Sequence, residues 1–252
     1  MSAESSSLFS KTLLYHLIEE FKLRYRFKYV LPKLTEIELE GLRLDVSTLS
    51  SKIRNRLLSG AYEAHEKVMC RDFLRPEDVV LEIGGAIGFI GLICQKKLGI
   101  RNYSCFEANP RTMEVLKRNY ELNGVTPRVW NMALAHADGE VELEVGTDFW
   151  ENSIVYAENA TKGRKTVKVP AATLQTLVKT AGITPNVLII DIEGAEQFID
   201  FASMPVSVNK IIIELHPAVI GQEATYNIVA SLIAQGFRVA REESGTFVFL
   251  RK

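Results

Sequence analysis

The most constraining feature of this sequence is a series of short apolar runs that begins at Val79 and alternates with amphipathic segments. Five of these runs read as strands that are buried on both faces: VVLEIG, YSCFEA, RVWNMA, VLIIDIE and KIIIELHP. Apolar runs of this kind, separated by helical patterns, are typical of βαβ units. The alternation therefore predicts an α/β fold built on a mostly parallel sheet.

The C-terminal sequence GFRVAREESGTFVFLRK breaks this alternation. It holds two alternating runs that are joined by only a short Glu-Ser-Gly connection. Such a connection is too short for a helical crossover, so it favours an antiparallel hairpin. We therefore expect one reversed strand at the end of the sheet.

The pattern suggests two sections, with a boundary between residues 75 and 76. Residues 1–75 form an N-terminal extension, with a helical segment to about Leu31, a hairpin in IELEGLRLDV and a second helical stretch before Pro76. Residues 76–252 form the main domain. Within it, residues 134–185 form an insertion with hairpin-like pieces GEVELEV and KTVKVP and a helix from about Leu174 to Lys179. We expect this insertion to overhang the active edge of the sheet.

The first helix carries a basic and aromatic face. Its residues are Phe21, Lys22, Arg24, Tyr25, Arg26, Phe27, Lys28 and Tyr29. Such a face can contact a membrane surface peripherally or bind an acidic partner. The favoured interpretation is that this helix docks on its own domain or on a second subunit of a homodimer, with its charges solvated.

Charge and cysteine content restrict the partners and the compartment. The formal net charge is -1, and a general polyanion binder needs surplus Lys and Arg, so we expect no nucleic-acid partner. Charges interrupt the apolar stretches near the N-terminus, so no membrane span or secretory signal is predicted. Cys70, Cys94 and Cys105 lack metal-type spacing, which favours reduced thiols in a cytoplasmic protein.

A glycine-rich turn follows the first strand of the predicted sheet. Gly84, Gly85 and Gly88 lie where that strand turns into a helix, so a ligand can approach the backbone closely. The spacing does not fit the dinucleotide fingerprint G-x-G-x-x-G, which disfavours a nicotinamide cofactor. Glu82, just before the turn, would repel a pyrophosphate but would suit a cationic amine. S-adenosylmethionine carries an ammonium group and a sulfonium, so this charge favours it as the cofactor.

Further carboxylates follow other strands of the sheet. Glu107 ends the second strand, where a carboxylate can accept hydrogen bonds from both hydroxyls of a ribose. Asp191 and Glu193 follow the fourth strand, with Glu196 on the helix after it. The crevice beyond the strand ends is where open α/β sheets bind ligands. These residues therefore indicate a ligand site along one edge of the sheet.

A histidine follows the fifth strand, in the sequence IIIELHP. Neighbouring strand ends can bring His216 and Asp191 into one pocket, with Glu214 beside them. A strand-end histidine beside carboxylates is a candidate general base. Asp191, Glu193 and His216 are also suitable in type as ligands of a divalent metal. No metal-specific spacing supports such a site, and we predict none.

These motifs resemble the FkbM-type S-adenosylmethionine-dependent methyltransferases. The resemblance covers roughly residues 37–250 and includes GAYE from Gly60 to Glu63, EIGGAIG, FEANP, TLQTL from Thr173 to Leu177, IIDIEGAE and IIELHP. It implies a class I methyltransferase fold: a Rossmann-like, seven-stranded, mostly parallel sheet with one antiparallel terminal strand. It also implies O-methylation of a hydroxyl on a sugar or secondary metabolite, so the partner would be a small-molecule or glycan acceptor.

The resemblance assigns site roles by matching positions. The cofactor-binding residues would be Glu63, Glu82, Gly84, Gly85, Gly88, Glu107, Ala108 and Asp191. The catalytic residues would be His216, Asp191 and Glu193, with Glu193 and His216 facing the substrate.

Two alternatives stay open at this point. An amine or carboxyl acceptor would make the protein an N- or carboxyl-methyltransferase. A non-catalytic module that binds the cofactor and acts through a partner is the alternative from another class, because Ala86 and Ile189 are apolar where the family's motifs carry polar groups.

Overall fold

A computed structural model describes residue 22 and residues 25–145, 154–155 and 165–251. The chain divides into two compact units, residues 1–62 and residues 63–252. This division falls earlier than the boundary expected between residues 75 and 76. The reason is the helix Ala64–Phe73, which contacts the strands Lys210–Glu214 and Thr246–Leu250 and so belongs to the second unit.

The first unit contains a hairpin and a short helix. Strands β1 (Glu36–Leu39) and β2 (Leu42–Asp45) pair antiparallel, which confirms the predicted hairpin. Helix α1 (Ser51–Leu58) begins after Ser50, whose hydroxyl accepts a hydrogen bond from the Ile53 backbone N–H at 3.3 Å.

Much of the predicted basic and aromatic helix, including Phe21 and Arg24, lies outside the described residues. Its last part, Arg26–Val30, is π-helical, and Tyr25 and Tyr29 are exposed there. Contact of this helix with a membrane surface or a second subunit stays a prediction.

Eleven strands of the second unit form two sheets. They are β3 (Val79–Ile83), β4 (Asn102–Glu107), β5 (Arg128–Asn131), β6 (Ala133–Leu134), β7 (Gly139–Val145), β8 (Ile154–Val155), β9 (Lys165–Ala172), β10 (Val187–Ile190), β11 (Lys210–Glu214), β12 (Arg238–Glu243) and β13 (Thr246–Leu250). The main sheet has seven strands in the order β12-β13-β11-β10-β3-β4-β5. Parallel pairing joins each strand to the next in the series β5, β4, β3, β10 and β11. β13 pairs antiparallel with β11 and with β12. The mostly parallel sheet with a reversed strand from a C-terminal hairpin is confirmed.

Three of the parallel strands, β3, β10 and β11, occupy the middle of the main sheet. Leu81 and Ile83 of β3, Leu188 of β10 and Ile211 of β11 are at most 1% exposed and belong to one apolar core. Strands covered on both faces need apolar residues at successive positions, which explains the unbroken runs in the sequence.

A partly buried polar cluster lies at the opposite end of these strands from the glycine turn. Lys210 Nζ lies 2.8 Å from both carboxylate oxygens of Asp78, whose side chain is 2% exposed. The Asn186 amide donates to Asp78 Oδ1 at 2.8 Å, while its oxygen accepts from the Val79 N–H at 2.7 Å. These contacts join the starts of β3, β10 and β11.

The insertion forms the second sheet, whose four strands have the order β6-β9-β7-β8. β7 pairs antiparallel with β9, so the two hairpin-like pieces predicted from the sequence are confirmed as partners. Residues 146–153 and 156–164 of the insertion lie outside the described residues. The predicted helix that follows β9 is present as Leu174–Ala181, with Thr173 as its N-cap.

The α-helices in the described part of the second unit are α2 (Ala64–Phe73), α3 (Phe89–Leu92), α4 (Pro110–Leu122), α5 (Leu174–Ala181), α6 (Pro217–Ile220) and α7 (Gln222–Ala234). α4 begins as expected, because the Asn109 side chain accepts from the Arg111 N–H at 2.9 Å and Pro110 occupies the first turn. Cys70, Cys94 and Cys105 are buried free thiols, as predicted. Among the described residues, no helix has both the length and the apolar character that crossing a membrane requires.

Candidate functional site

An open cavity, whose volume of about 660 Å³ includes solvent at its mouth, lies where the C-terminal ends of β3, β4 and β10 meet the second sheet. Five of the residues predicted to take part in the site line it, namely Gly84, Glu107, Ala108, Asp191 and Glu193. The apolar part of the wall includes Phe106 of the main sheet and Leu134 and Leu143 of the insertion. The insertion therefore does overhang the edge of the sheet where the site was expected.

The glycine turn lies against the end of β10. Gly84 has a φ of +94°, and a Cβ added there would lie 1.7 Å from the backbone oxygen of Asp191. The N–H groups of Gly84 and Gly85 both donate to the Phe106 carbonyl, at 2.9 and 3.1 Å. Only a residue without a side chain fits between β3 and β10 at this point, and this brings bare backbone to the cavity.

The other two glycines of the turn face inward. A Cβ on Gly85 would lie 2.2 Å from Cys105 Sγ, and one on Gly88 would lie 3.0 Å from a ring carbon of Tyr120. Both glycines therefore allow the turn to pack on α4 and β4 and do not line the cavity.

Glu107 lines the cavity at the end of β4, as expected. Its Oε1 accepts from the Asn109 N–H at 2.7 Å, and its Oε2 accepts from the Ala86 N–H at 2.9 Å. A carboxylate has about four lone-pair sites, so two stay available for hydroxyl donors. Burial raises the pKa of Glu107 to about 7, although the two amide hydrogen bonds oppose this shift.

Glu82 lies behind the glycine turn and not in the cavity. Its neighbour Ile83 lines the cavity, and successive side chains of a strand point to opposite faces, so Glu82 faces Tyr103 and Cys105. It is 3% exposed, and burial raises its pKa to about 7. Any effect of its charge on a bound cation would act through the turn and not by contact.

Glu63 also lies outside the cavity wall. It immediately precedes α2, with a φ of +45°. Its charge is close enough to raise the pKa of Asp191.

Four carboxylates surround His216 at the ends of β10 and β11. His216 Nε2 lies 3.3 Å from Glu193 Oε2, 3.7 Å from Asp191 Oδ1 and 3.7 Å from Glu214 Oε1. His216 Nδ1 lies 2.7 Å from Glu196 Oε1. The two strand ends therefore bring Asp191 and His216 together, as expected, but His216 itself lies outside the cavity wall, behind Asp191 and Glu193.

The surrounding charges shift the protonation of this cluster. Burial alone would lower the pKa of His216, but the hydrogen bond to Glu196 and the charges of Glu196, Glu193 and Glu214 raise it to about 9. Burial, together with neighbouring carboxylates, raises the pKa of Glu214 to about 7 and that of Asp191 well above its usual range. The cluster therefore holds protons at neutral pH that isolated groups would release.

Asp191, Glu193 and His216 each offer one atom of a metal-ligand type, and these atoms lie within 4.8 Å of one another. The absence of a metal site stays a prediction.

Sequence reasoning gave no role to Glu196, although it placed this residue after the fourth strand. The short 3₁₀ helix Ala195–Phe198 turns Glu196 back towards His216 and buries it completely. The spacing between Asp191 and Glu196 does not indicate that Glu196 reaches His216, because this contact depends on the conformation of the turn between them.

The sequence matches the family model of the methyltransferase FkbM domain over residues 83–239. The chain belongs to the FkbM methyltransferase family. It is an S-adenosylmethionine-dependent methyltransferase, and its sheet has the class I arrangement that the resemblance implied.

Solved structures also show similarity to this FkbM methyltransferase. P. horikoshii TYW2 in complex with MeSAdo is 13% identical, with 87% of this chain and 70% of that chain covered and a TM-score of 0.47. The ribosomal protein L11 methylase from Lactobacillus delbrueckii subsp. bulgaricus is 13% identical, with 76% and 79% covered and a TM-score of 0.45. Precorrin-6y C5,15-methyltransferase from Geobacter metallireducens is 11% identical, with 75% and 88% covered and a TM-score of 0.44. No curated protein shows a significant match to the sequence.

The residues of the cavity fit S-adenosylmethionine chemically. Glu107 presents a carboxylate to hydroxyl groups, while Phe106, Leu134 and Leu143 offer apolar surface to an aromatic base. The carboxylates near Gly84 suit the positive charges of the ammonium and sulfonium groups.

Proposed function

We propose that this methyltransferase transfers the methyl group of S-adenosylmethionine to a hydroxyl oxygen of a small-molecule or glycan acceptor. The observation that carries the proposal is the position of His216, whose Nε2 lies 3.3 to 3.7 Å from Glu193 and Asp191, two residues of the cavity wall. This arrangement supplies a base beside the place where a methyl acceptor would be held. A hydroxyl acceptor needs such a base more than a neutral amine does.

The proposed cofactor contacts follow from the cavity. Glu107 would accept hydrogen bonds from both ribose hydroxyls, and Gly84 with Ala108 would let the cofactor approach the backbone. Asp191 would lie on the side of the methyl donor, between cofactor and acceptor. Glu63, Glu82, Gly85 and Gly88 lie outside the cavity wall, so their proposed contribution is to shape and charge the turn that carries these contacts.

The bound cofactor supplies a methyl group on a sulfonium, which is a good leaving group. The task of the protein is to hold the acceptor oxygen about 3 to 3.5 Å from the methyl carbon and in line with the bond that breaks. His216 Nε2 would take the hydroxyl proton as the acceptor oxygen displaces S-adenosylhomocysteine from the methyl carbon of the bound cofactor.

The protonation of His216 sets the expected pH dependence. With a pKa of about 9, the imidazole is mostly protonated at neutral pH and cannot accept the proton of the acceptor. The rate should therefore rise with pH until about 9 and then level off. A rate that is independent of pH in this range would remove His216 as the base.

The test measures methyl transfer from labelled S-adenosylmethionine to a panel of sugars and metabolites with hydroxyl, amine or carboxyl groups. His216→Ala should lower turnover on a hydroxyl acceptor by about 10² to 10⁴, with little change in affinity for S-adenosylhomocysteine. The matched control is His65→Ala, because His65 is about half exposed and pairs with Glu243 away from the cavity. Transfer to amines alone would replace the proposed acceptor, and binding without any transfer would favour the non-catalytic module.

A further inference from the structure

Glu196 is the most completely buried carboxylate of the cluster around His216. Its side chain is 0% exposed, whereas those of Asp191, Glu193 and Glu214 are between 25 and 32% exposed. Burial of a charge without a partner is costly, so a buried carboxylate is expected to have a specific one. Glu196 Oε1 has two such partners, the Gly194 N–H at 3.1 Å and His216 Nδ1 at 2.7 Å.

The turn that carries Glu196 has little freedom to move. Gly194 has a φ of +101°, and a Cβ added there would lie 2.5 Å from Val219 Cγ1 of α6. α6 begins directly after His216, so the same packing holds both residues of the pair. The position of Glu196 relative to the imidazole is therefore determined by the backbone on both sides.

Glu196 differs from the other carboxylates in the ring atom that it contacts. Asp191, Glu193 and Glu214 all lie near Nε2, and Glu196 alone among them contacts Nδ1. A carboxylate that accepts from Nδ1–H fixes the tautomer and leaves Nε2 to exchange a proton with the substrate. Nε2 is also the atom that points towards the cavity-lining residues Asp191 and Glu193.

We propose that Glu196 is a positioning residue for His216, which holds the Nδ1–H tautomer and the orientation of the ring and stabilises the imidazolium formed during methyl transfer. This inference rests on the proposed function, in which His216 removes the proton of the acceptor. The pair then works like the carboxylate and histidine of a catalytic triad, with the acceptor hydroxyl in the place of the nucleophile.

The charges around the ring allow the effect of Glu196 to be separated from the others. Asp191 and Glu193 after β10 and Glu214 at the end of β11 face the ring, and Glu63 and Glu66 at α2 act on Asp191. All of them stay in place when only Glu196 is changed. Any shift that follows from Glu196→Gln is therefore due to the contact at Nδ1.

The test is an NMR titration of His216 in the full-length protein labelled with ¹⁵N-histidine, together with the pH profile of turnover. Glu196→Gln keeps the size of the side chain and removes its charge. We expect the pKa of His216 to fall by at least one unit from about 9, and maximal turnover to fall by about 10² to 10⁴, while S-adenosylhomocysteine affinity stays within twofold. The rise of the pH profile should move to lower pH by the same amount as the pKa.

Glu214→Gln is the matched control, because it removes a charge near Nε2 without touching Nδ1. It should lower the pKa of His216 but leave the Nδ1–H tautomer unchanged. An unshifted pKa of His216 in a folded Glu196→Gln protein would overturn the proposal. A second test uses the wild-type protein and so does not depend on how the variant folds. If NMR shows that neutral His216 carries its proton on Nε2 above about pH 10, the proposal is also overturned.

The NMR measurements need no acceptor. If the panel reveals no methyl transfer, the proposed function fails while the titration still decides whether Glu196 controls the protonation of His216.

Discussion

Replacing Gly84 by alanine should be severely damaging, because no space exists for even one carbon atom. The added Cβ would lie 1.7 Å from the Asp191 backbone oxygen, whereas real Cβ atoms hardly ever come closer than 3.0 Å to another heavy atom. The two strand ends would therefore have to separate by at least about 1.3 Å. This movement would strain the hydrogen bond from the Asp191 N–H to the Ile83 carbonyl, which measures 3.0 Å.

The expected cost has two parts. The left-handed backbone at φ +94° costs an alanine about 1 to 2 kcal/mol, and forced displacement in a packed region costs about 1 to 3 kcal/mol. The sum of about 2 to 5 kcal/mol corresponds to a melting temperature lower by roughly 4 to 20 °C for a chain of this size. S-adenosylhomocysteine should also bind at least tenfold more weakly, because the backbone at the cavity moves.

Gly124→Ala is the matched control for this change. Gly124 has a φ of +63°, and nothing lies within 4 Å of an added Cβ, so only the backbone cost of about 1 to 2 kcal/mol applies. Thermal melts and calorimetry on both variants would measure the difference. Equal melting temperatures and equal affinities for S-adenosylhomocysteine would refute the argument that the close approach of β3 and β10 requires Gly84.

Three further predictions address charge and metal dependence. Glu82 has a pKa of about 7 in the folded state, against 4.5 for a glutamate exposed to water, so its ionisation makes the folded state less stable as the pH rises from 4.5 to about 7. Glu82→Gln should therefore raise the free energy of unfolding by about 1 to 3 kcal/mol at pH 8 and by little at pH 4.5. Denaturant titrations at both pH values would measure this, and an equal effect at pH 8 and pH 4.5 would contradict it. Glu107→Ala should weaken S-adenosylhomocysteine binding about tenfold or more in calorimetry, since charge-assisted hydrogen bonds contribute about 1.5 to 3 kcal/mol each, whereas a change below twofold would exclude the ribose contact. Turnover should be unchanged in the presence of EDTA. If EDTA instead abolishes turnover and added Mn²⁺ or Mg²⁺ restores it, Asp191, Glu193 and His216 are assigned to a metal site.

The five parallel strands of the main sheet could be predicted in chain order because the burial of a parallel sheet leaves a direct mark on the sequence. Runs such as VLII of β10 and the three isoleucines at 211–213 of β11 are apolar at successive positions because both faces of those strands are covered. The prediction for the run RVWNMA was wrong in detail: β5 is an edge strand that is only partly buried, and the end of the run belongs to β6 of the second sheet. The reversed strand was also predictable, since a three-residue connection cannot hold a crossover. Asp191, Glu193 and His216 followed from the same logic, because the C-terminal ends of parallel strands meet at one edge.

The parts that could not be predicted depend on which way a side chain or turn faces. Glu82 carries the right charge for the cofactor, but its neighbour Ile83 occupies the face that meets the cavity. Glu196 reaches His216 only because a glycine with φ +101° and a single 3₁₀ turn direct the chain back. Neither the hydrophobic period nor the residue spacing encodes these directions.

The partly buried cluster of Asp78, Asn186 and Lys210 has a practical consequence for engineering. It joins three strands at the edge of the sheet opposite the cavity, so the alignment of those strands does not depend on the loops that form the site. We therefore expect that the second sheet, which covers the cavity, can be replaced by that of a relative while the strand ends of the main sheet keep their geometry. Chimeras that graft the segment 139–172 would show whether the second sheet determines acceptor preference.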